Sequence, residues 1–356
     1  MLFSETRANG LVPGVCPCPD DQGGLIFPAT NLFLPLMLRD YLLRSGDLIL
    51  IRELLPKVVA IFGTFEHWFD ADGLIAPPEN LWNFFDWSCE MTGVSLNGKK
   101  SSLLDYLYLI ALKAFVELAS LAGLEWDIDK YRSRLEGAGV RLEKIFFKPE
   151  DNRLADWVEG SVKSGHSSQL AHALALLSGE CSETNRKHLE EALGDQNILI
   201  PELYLHFFVF QAMRLCGQEA AALDRIRNYW GPIVESGAPT IWEMGVHGRG
   251  KAAISGNASL CHGFATAPVD FLQTAILGVE PLKPGFAEFR LAPTPCGLKF
   301  AEGRVPTPTG NIHIRWEAHA DELVVDLDVP SGALAVCSDG RTFGAGKHQF
   351  ALARTK

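Results

Sequence analysis

From Thr30 to Trp230 the apolar residues recur at the three-and-four spacing of buried helix faces, and short turns rather than strands separate the segments. A first helix is predicted from about Asn31 to Arg44, stopped by Ser45-Gly46, with Asp47 placed to cap the next. That second helix carries Val58, Phe62, Phe65 and Phe69 on one face and ends at Asp70-Ala71-Asp72-Gly73. Pro56 is expected to kink or divide it. Ser102-Leu103-Leu104-Asp105 has the form of a capping box and opens a long apolar helix that ends at Gly123. Further helices are predicted from Asp129 to Phe146, Ser167 to Leu177, Glu183 to Leu193, Pro201 to Cys216, Gln218 to Tyr229 and Ser259 to Leu277. Short loops make consecutive helices antiparallel neighbours. About nine helices, paired as hairpins and curling into an α/α toroid, is therefore the expected architecture.

After Pro284 the period changes to two. Asn311 to Trp316 and Leu323 to Val329 alternate, with Gly, Pro and Asp at the turns, which predicts a small antiparallel β-sandwich from about Pro284 to Lys356. The expected division is residues 1–283, helical and carrying the site, and 284–356, the sandwich.

The chain has 356 residues, of which 47% are apolar, enough for one large core plus a smaller domain. A net charge of -11 argues against a polyanionic partner, because phosphate backbones are held mainly by Lys and Arg; nucleic acid is not expected. Met1 to Thr6 offers neither a basic n-region nor an apolar h-region, so a cytoplasmic location is expected. Pro35, Asp105 and Lys113 interrupt the longest apolar stretches, and no membrane partner is expected. Eight scattered cysteines read as reduced thiols, and the spacing of Cys16-Pro17-Cys18 does not suit zinc.

Candidate chemistry centres on Glu243, in a loop signalled by Gly237 and Pro239, with Trp242 beside it as an apolar wall. A carboxylate there can serve as a base, or can anchor its loop on backbone amides. A second cluster, Pro77 to Trp87, interrupts two helices with aromatics and acids. Trp82, Asp86 and Trp87 suit a sugar site, where apolar ring faces pack on indole and hydroxyls bond to acids. The other reading makes Phe84, Phe85 and Trp87 core residues and Asp86 a helix cap. His262 is placed at the opening of a helix with Ser259 as N-cap, either lining a pocket or buried on a backbone carbonyl. The basic, Gly-rich His247 to Lys251 lacks phosphate-loop spacing and reads as a flexible loop near the site. Asp20 to Gly24 either enters the same mouth or is an exposed turn.

The order Gly237-Ala-Pro-Thr-Ile-Trp-Glu243, Ser259-Leu-Cys-His-Gly263, Gly278-Val-Glu-Pro281, Pro284-Gly-Phe286 and Thr307-Pro-Thr-Gly310 resembles the C-terminal half of the α-L-rhamnosidases, glycoside hydrolase family 78. The resemblance runs from about Pro19 onward and is strongest between Trp230 and Trp316. It implies an (α/α)6 barrel followed by a β-sandwich, Glu243 as the water-activating residue, and His262, Asp86 and Trp87 in the sugar pocket. It implies hydrolysis of terminal α-L-rhamnosyl linkages, or those of a similar deoxy sugar, with inversion and without a cofactor. Two positions depart from the family pattern: Cys261 stands where Asn is usual, and Gly263 where an aromatic is usual. The family's Glu-Arg-x-Gly-Trp-x-Gly-Asp stretch, which supplies the acid carboxylate, has no counterpart here. Asp86, Glu79 and Glu90 are the local acids that could be asked to replace it. Two other readings stay open: a carbohydrate-binding remnant without turnover, and a truncated piece whose open helix array would self-associate.

Overall fold

The protein is described by a computed structural model over residues 5–18, 25–88, 98–123, 128–245 and 259–353. Helices fill the chain as far as Ile276. They are α1 (Pro28–Ser45), α2 (Leu48–Glu66), α3 (Ser102–Leu121), α4 (Ile128–Leu135), α5 (Ala138–Phe146), α6 (Gln169–Ser178), α7 (Glu183–Ala192), α8 (His206–Leu215), α9 (Glu219–Glu235) and α10 (Ala267–Phe271), the last continuing into a π-helical turn, Leu272–Ile276.

The helices sort by burial into two sets. Nearly every residue of α6 is buried and α3 is buried on most sides, as expected of helices inside a bundle. On α7 only Leu189 and Ala192 are buried, and on α4 only Tyr131, as expected of outer helices with one inward stripe. Packing runs α1 on α3, α3 on α6, α6 on α8 and α8 on α10. Arg44 of α1 then reaches α10 and the π-helical turn after it, donating to Asp270 at 3.1 Å and to Gln273 at 3.2 Å. Among the described residues this inner arc is one helix short of an (α/α)6 ring. An apolar groove floored by α8 marks the seam between α1 and α10.

Local signals hold in some places and yield to tertiary contacts in others. Asp47 caps α2 as expected, accepting from the amides of Ile49 and Leu50. Pro56 does not divide α2. Its ring lies on the exposed face, where water can serve the carbonyl that loses its helical partner. The expected capping box at Ser102 does not form. Ser102 instead donates to the carbonyl of Ala155, and the buried Asp105 accepts from Ile75 N. The predicted helix from Asp129 to Phe146 is two helices, parted at Gly137, whose φ of 66° ends one and admits the next. Strands also intervene where only turns are expected. The pairs β1 (Lys100–Ser101) with β4 (Trp157–Glu159), β4 with β5 (Val162–Lys163), and β2 (Phe147–Lys148) with β3 (Arg153–Leu154) brace the helix ends.

The C-terminal part is a sandwich of two four-stranded sheets. One has the order β13 (Gly346–Ala353), β10 (Glu322–Val329), β9 (Gly310–Ala318), β8 (Phe300–Thr307), all antiparallel. The other has the order β12 (Thr342–Phe343), β11 (Leu334–Cys337), β7 (Glu288–Leu291), β6 (Val279–Pro281), with β11 and β7 parallel. The predicted alternation puts Ile312, Ile314 and Trp316 of β9 inside with Leu323, Val325, Leu327 and Val329 of β10.

Three contacts weld the sandwich to the helices. Trp316 Nε1 donates to the carbonyl of Ile276 at 2.8 Å. Arg214 of α8 forms a two-bond pair with Glu280 of β6. Gly46, at the end of α1, lies back to back with Gly285; a Cβ on Gly46 would meet the Gly285 Cα at 3.3 Å.

Candidate active site

Four chain segments, together with Leu25 to Met37 leading into and along α1, enclose a cavity of about 420 Å³, a size typical of small-molecule sites. The first is the N-terminal strap from Val12 to Val15. It is held by the fully buried Asn31, whose side chain accepts from Val12 N at 2.8 Å and donates to Val12 O at 3.0 Å. The second is the aromatic loop from Trp82 to Ser88. The third is Glu202 to Tyr204, at the entry to α8. The fourth is the pair of loop segments around Glu243 and His262.

Glu243 is in the cavity wall, and both of its carboxylate oxygens are held. Trp87 Nε1 donates to Oε1 at 2.8 Å, and Ser259 N donates to Oε2 at 2.9 Å. His262 Nε2 lies 4.0 Å from Oε1. Backbone pairing keeps the two halves of this segment in register, Glu243 N to Ser259 O and His262 N to Ile241 O, each at 2.9 Å. Among the described residues each carboxylate oxygen has one hydrogen-bond donor, and an oxygen of this kind can accept a second, from a water or a hydroxyl.

The rings around this carboxylate form one cluster. Trp87 meets Phe84 edge to face at 4.9 Å between centroids and Trp82 at 6.1 Å, and Trp82 meets Phe27 at 5.3 Å. Tyr204 and Phe264 flank the His262 ring at 5.9 and 5.4 Å. His262 Nδ1 and Trp82 Nε1 are buried without a hydrogen-bond partner among the described residues.

The structure thus brings Glu243, Trp87, Trp82 and His262 together around one cavity. It places two other candidates elsewhere. Asp86 is fully buried behind the wall, accepting from the amide and hydroxyl of Ser88 and from Glu202 N at 2.8 Å. Burial pushes its carboxyl up to about 6 despite those donors. Its carboxyl therefore holds the loop, and Trp87 alone of that pair faces the cavity. Trp242 packs against the core and is not among the described residues lining the cavity, because the backbone pairing that turns Glu243 inward turns its neighbour away.

His262 does not open a helix. It precedes a 3₁₀ turn, Gly263–Ala265, and Ser259 closes a local turn on Cys261 instead of capping. Glu79 is exposed. Glu90, His247 to Lys251 and Asp20 to Gly24 lie outside the described residues.

Sequence reasoning missed the N-terminal strap, Asn31, Glu202 and Tyr204. Tyr204 falls within a predicted helix, where an aromatic reads as core. Only the Pro201-Glu202 start marked that stretch as a helix entry.

An α/α array backed by a β-sandwich, with a carboxylate set among aromatic rings at one end, is the layout of a six-hairpin glycosidase. The comparisons agree: residues 1–276 match the bacterial alpha-L-rhamnosidase 6 hairpin glycosidase domain, and residues 278–338 the bacterial alpha-L-rhamnosidase C-terminal domain. The chain belongs to the bacterial alpha-L-rhamnosidase family.

A curated alpha-L-rhamnosidase of Alteromonas sp. (strain LOR) is 33% identical over 110 residues, covering 28% of this chain and 11% of that protein. The GH78 rhamnosidase of Bacillus sp. GL1 superposes with a TM-score of 0.77 at 24% identity, over 88% of this chain and 34% of its own. The Streptomyces avermitilis alpha-L-rhamnosidase, solved with L-rhamnose, gives 0.74 at 17% identity, over 99% of this chain and 35% of its own. The chain therefore spans about a third of the length of these structures, and at such identities the likeness is one of fold. Among the described residues no helix is long and apolar enough to cross a membrane, and no group of His, Cys, Asp and Glu is arranged to hold a metal ion.

Proposed function

We propose that the cavity receives the terminal sugar of an α-L-rhamnoside, or of a related 6-deoxyhexoside, and that Glu243 activates the water that cleaves the linkage with inversion. The observation that carries this reading is the placement of Glu243 in the cavity wall, oriented by Trp87 and Ser259 with His262 alongside. A 6-deoxy sugar has a methyl group and apolar ring faces. These suit a wall built from Phe27, Phe33, Met37 and Phe84, while Glu243 and His262 meet its hydroxyls. The Streptomyces relative solved with L-rhamnose and the family membership both support the sugar class. In this reading residues up to 283 hold the site, and residues 284–356, with strand β6 (Val279–Pro281) added to one sheet, brace it.

One observation favours a second reading, sugar binding without turnover. Inverting hydrolysis uses two carboxyls roughly 6.5–9.5 Å apart, and among the described residues that line the cavity the one carboxylate is Glu243.

Both readings are tested by following phenol release from an aryl α-L-rhamnoside alongside L-rhamnose binding by calorimetry, with Glu243→Gln as the control. Turnover that vanishes in the variant supports the first. Binding without turnover selects the second. Turnover that survives Glu243→Gln removes Glu243 from the chemistry, and neither binding nor turnover overturns both readings.

A further inference from the structure

Glu202 and Tyr204 form a bracket beneath the cavity to which both halves of the site are tied. On one side Glu202 N donates to Asp86 at 2.8 Å, and the Tyr204 hydroxyl donates to the carbonyl of Phe85, so the segment grips the loop that carries Trp87. On the other side the Glu202 carboxylate accepts from Gly245 N at 3.2 Å, two residues beyond Glu243, and the Tyr204 ring packs on His262. Only Tyr204 reaches the cavity surface; Glu202 is 5% exposed and does not line it.

A buried carboxylate is costly unless hydrogen bonds hold it. This one takes its place at the junction of two loops that have no helix or strand of their own around Glu243 and Trp87. The Trp87–Glu243 bond spans those two loops, which are 156 residues apart in sequence. Its geometry therefore depends on what fixes one loop against the other.

We infer that Glu202 is a positioning residue for the site: through its carboxylate it sets the Glu243 loop, and through its amide it sets the Trp87 loop, so that Glu243 stands at its reacting position as well as against the indole. This rests on the reading of Glu243 as the working carboxylate. Glu202 does not touch the sugar, so its loss acts on turnover rather than on sugar affinity. A displacement of about 1 Å at a reacting group can lower turnover by about 100-fold.

Three variants separate the possibilities. Glu202→Gln keeps an acceptor oxygen for Gly245 N. Glu202→Asp keeps a buried carboxyl but draws the oxygen back by one carbon. Glu202→Ala removes it. The readouts are kcat and KM on an aryl α-L-rhamnoside, and the Trp87 emission, taken as the difference between each protein and its own Trp87→Phe counterpart.

Glu202→Asp and Glu202→Ala are expected to lose kcat by about 100-fold with KM little changed, and to shift the Trp87 emission in the same direction; Glu202→Gln is expected to match the parent in both. Variants that melt earlier yet keep the parental Trp87 emission and kcat overturn the inference, because a purely structural role moves stability alone. So does a Glu202→Asp protein with an unchanged site. If the parent protein shows no turnover, the functional reading fails, and the emission comparison still decides whether Glu202 sets the Trp87–Glu243 contact.

Discussion

Replacing Asp86 by Asn separates a carboxyl that serves the fold from one that lines the cavity. The side chain is fully buried, and burial raises its carboxyl from an ordinary value near 3.8 to about 6. The folded protein thus holds this proton more tightly than the unfolded chain does. Below about pH 4 both states are protonated and Asp86 makes no pH-dependent contribution. As pH rises, the unfolded chain releases its proton first, so the folded state loses relative stability through that window and the loss levels off above about pH 6.

Holding the proton up to about pH 6 in the folded state, against 3.8 in the unfolded chain, corresponds to about 3 kcal/mol in all, of which about 2 kcal/mol falls between about pH 4.5 and 7.5. Asn cannot titrate. It also turns an amide N–H toward either the Ser88 or the Glu202 donor, a penalty that does not vary with pH. Urea denaturation of both proteins across that pH range should show the stability of the parent minus that of Asp86→Asn falling by about 2 kcal/mol as pH rises. A constant offset, or one that grows with pH, would refute the argument and return Asp86 to solvent and to the cavity.

Trp87→Phe keeps most of the ring cluster but deletes the hydrogen bond to Glu243. With Trp87 37% exposed, about 1 kcal/mol is at stake, so kcat/KM on the aryl rhamnoside should fall about fivefold while the urea midpoint barely moves. Asn31→Ala leaves the buried N–H and C=O of Val12 unsatisfied and should cost about 2–4 kcal/mol, read as a lower urea midpoint at unchanged slope. Gly46→Ala sets a Cβ on a residue at φ 71° against the Gly285 backbone; about 1–2 kcal/mol should be lost, seen as a lower melting temperature.

The helices and strands were legible where one face of an element does one job. Ile312, Ile314 and Trp316 alternate because β9 has one buried face, and Asp47 could be read as a cap because the donors it serves lie within three residues. What failed involved partners far away in the chain. Ser102 and Asp105 have the spacing of a capping box, yet their partners are Ala155 and Ile75, which no local pattern reveals. The site divides in the same way. Glu243, Trp87 and His262, which belong to distinctive stretches, line one cavity together. Asp86 and Trp242 were misplaced because their immediate neighbours do face the cavity, and which side of a loop a residue faces depends on hydrogen bonds to other segments. Glu202 and Tyr204 were missed because a buried acid and a ring at a helix entry look like ordinary packing until the loops they hold are known.

The contact between Gly46 and Gly285 bears on how such chains can be recombined. Both residues have left-handed backbones, where a side chain is strained, and a Cβ on Gly46 would press on the Gly285 backbone, so the two glycines behave as a matched pair although they lie far apart in sequence. A sandwich grafted from a relative would dock in its native orientation only if the recipient kept a bare backbone at the end of its first helix. The same graft would have to supply an indole where Trp316 reaches Ile276, at the C-terminal end of the helix that follows His262. Exchange of the C-terminal unit is therefore a change to the frame on which His262 is mounted, and hybrids that ignore this pairing should lose their pocket before they lose their fold.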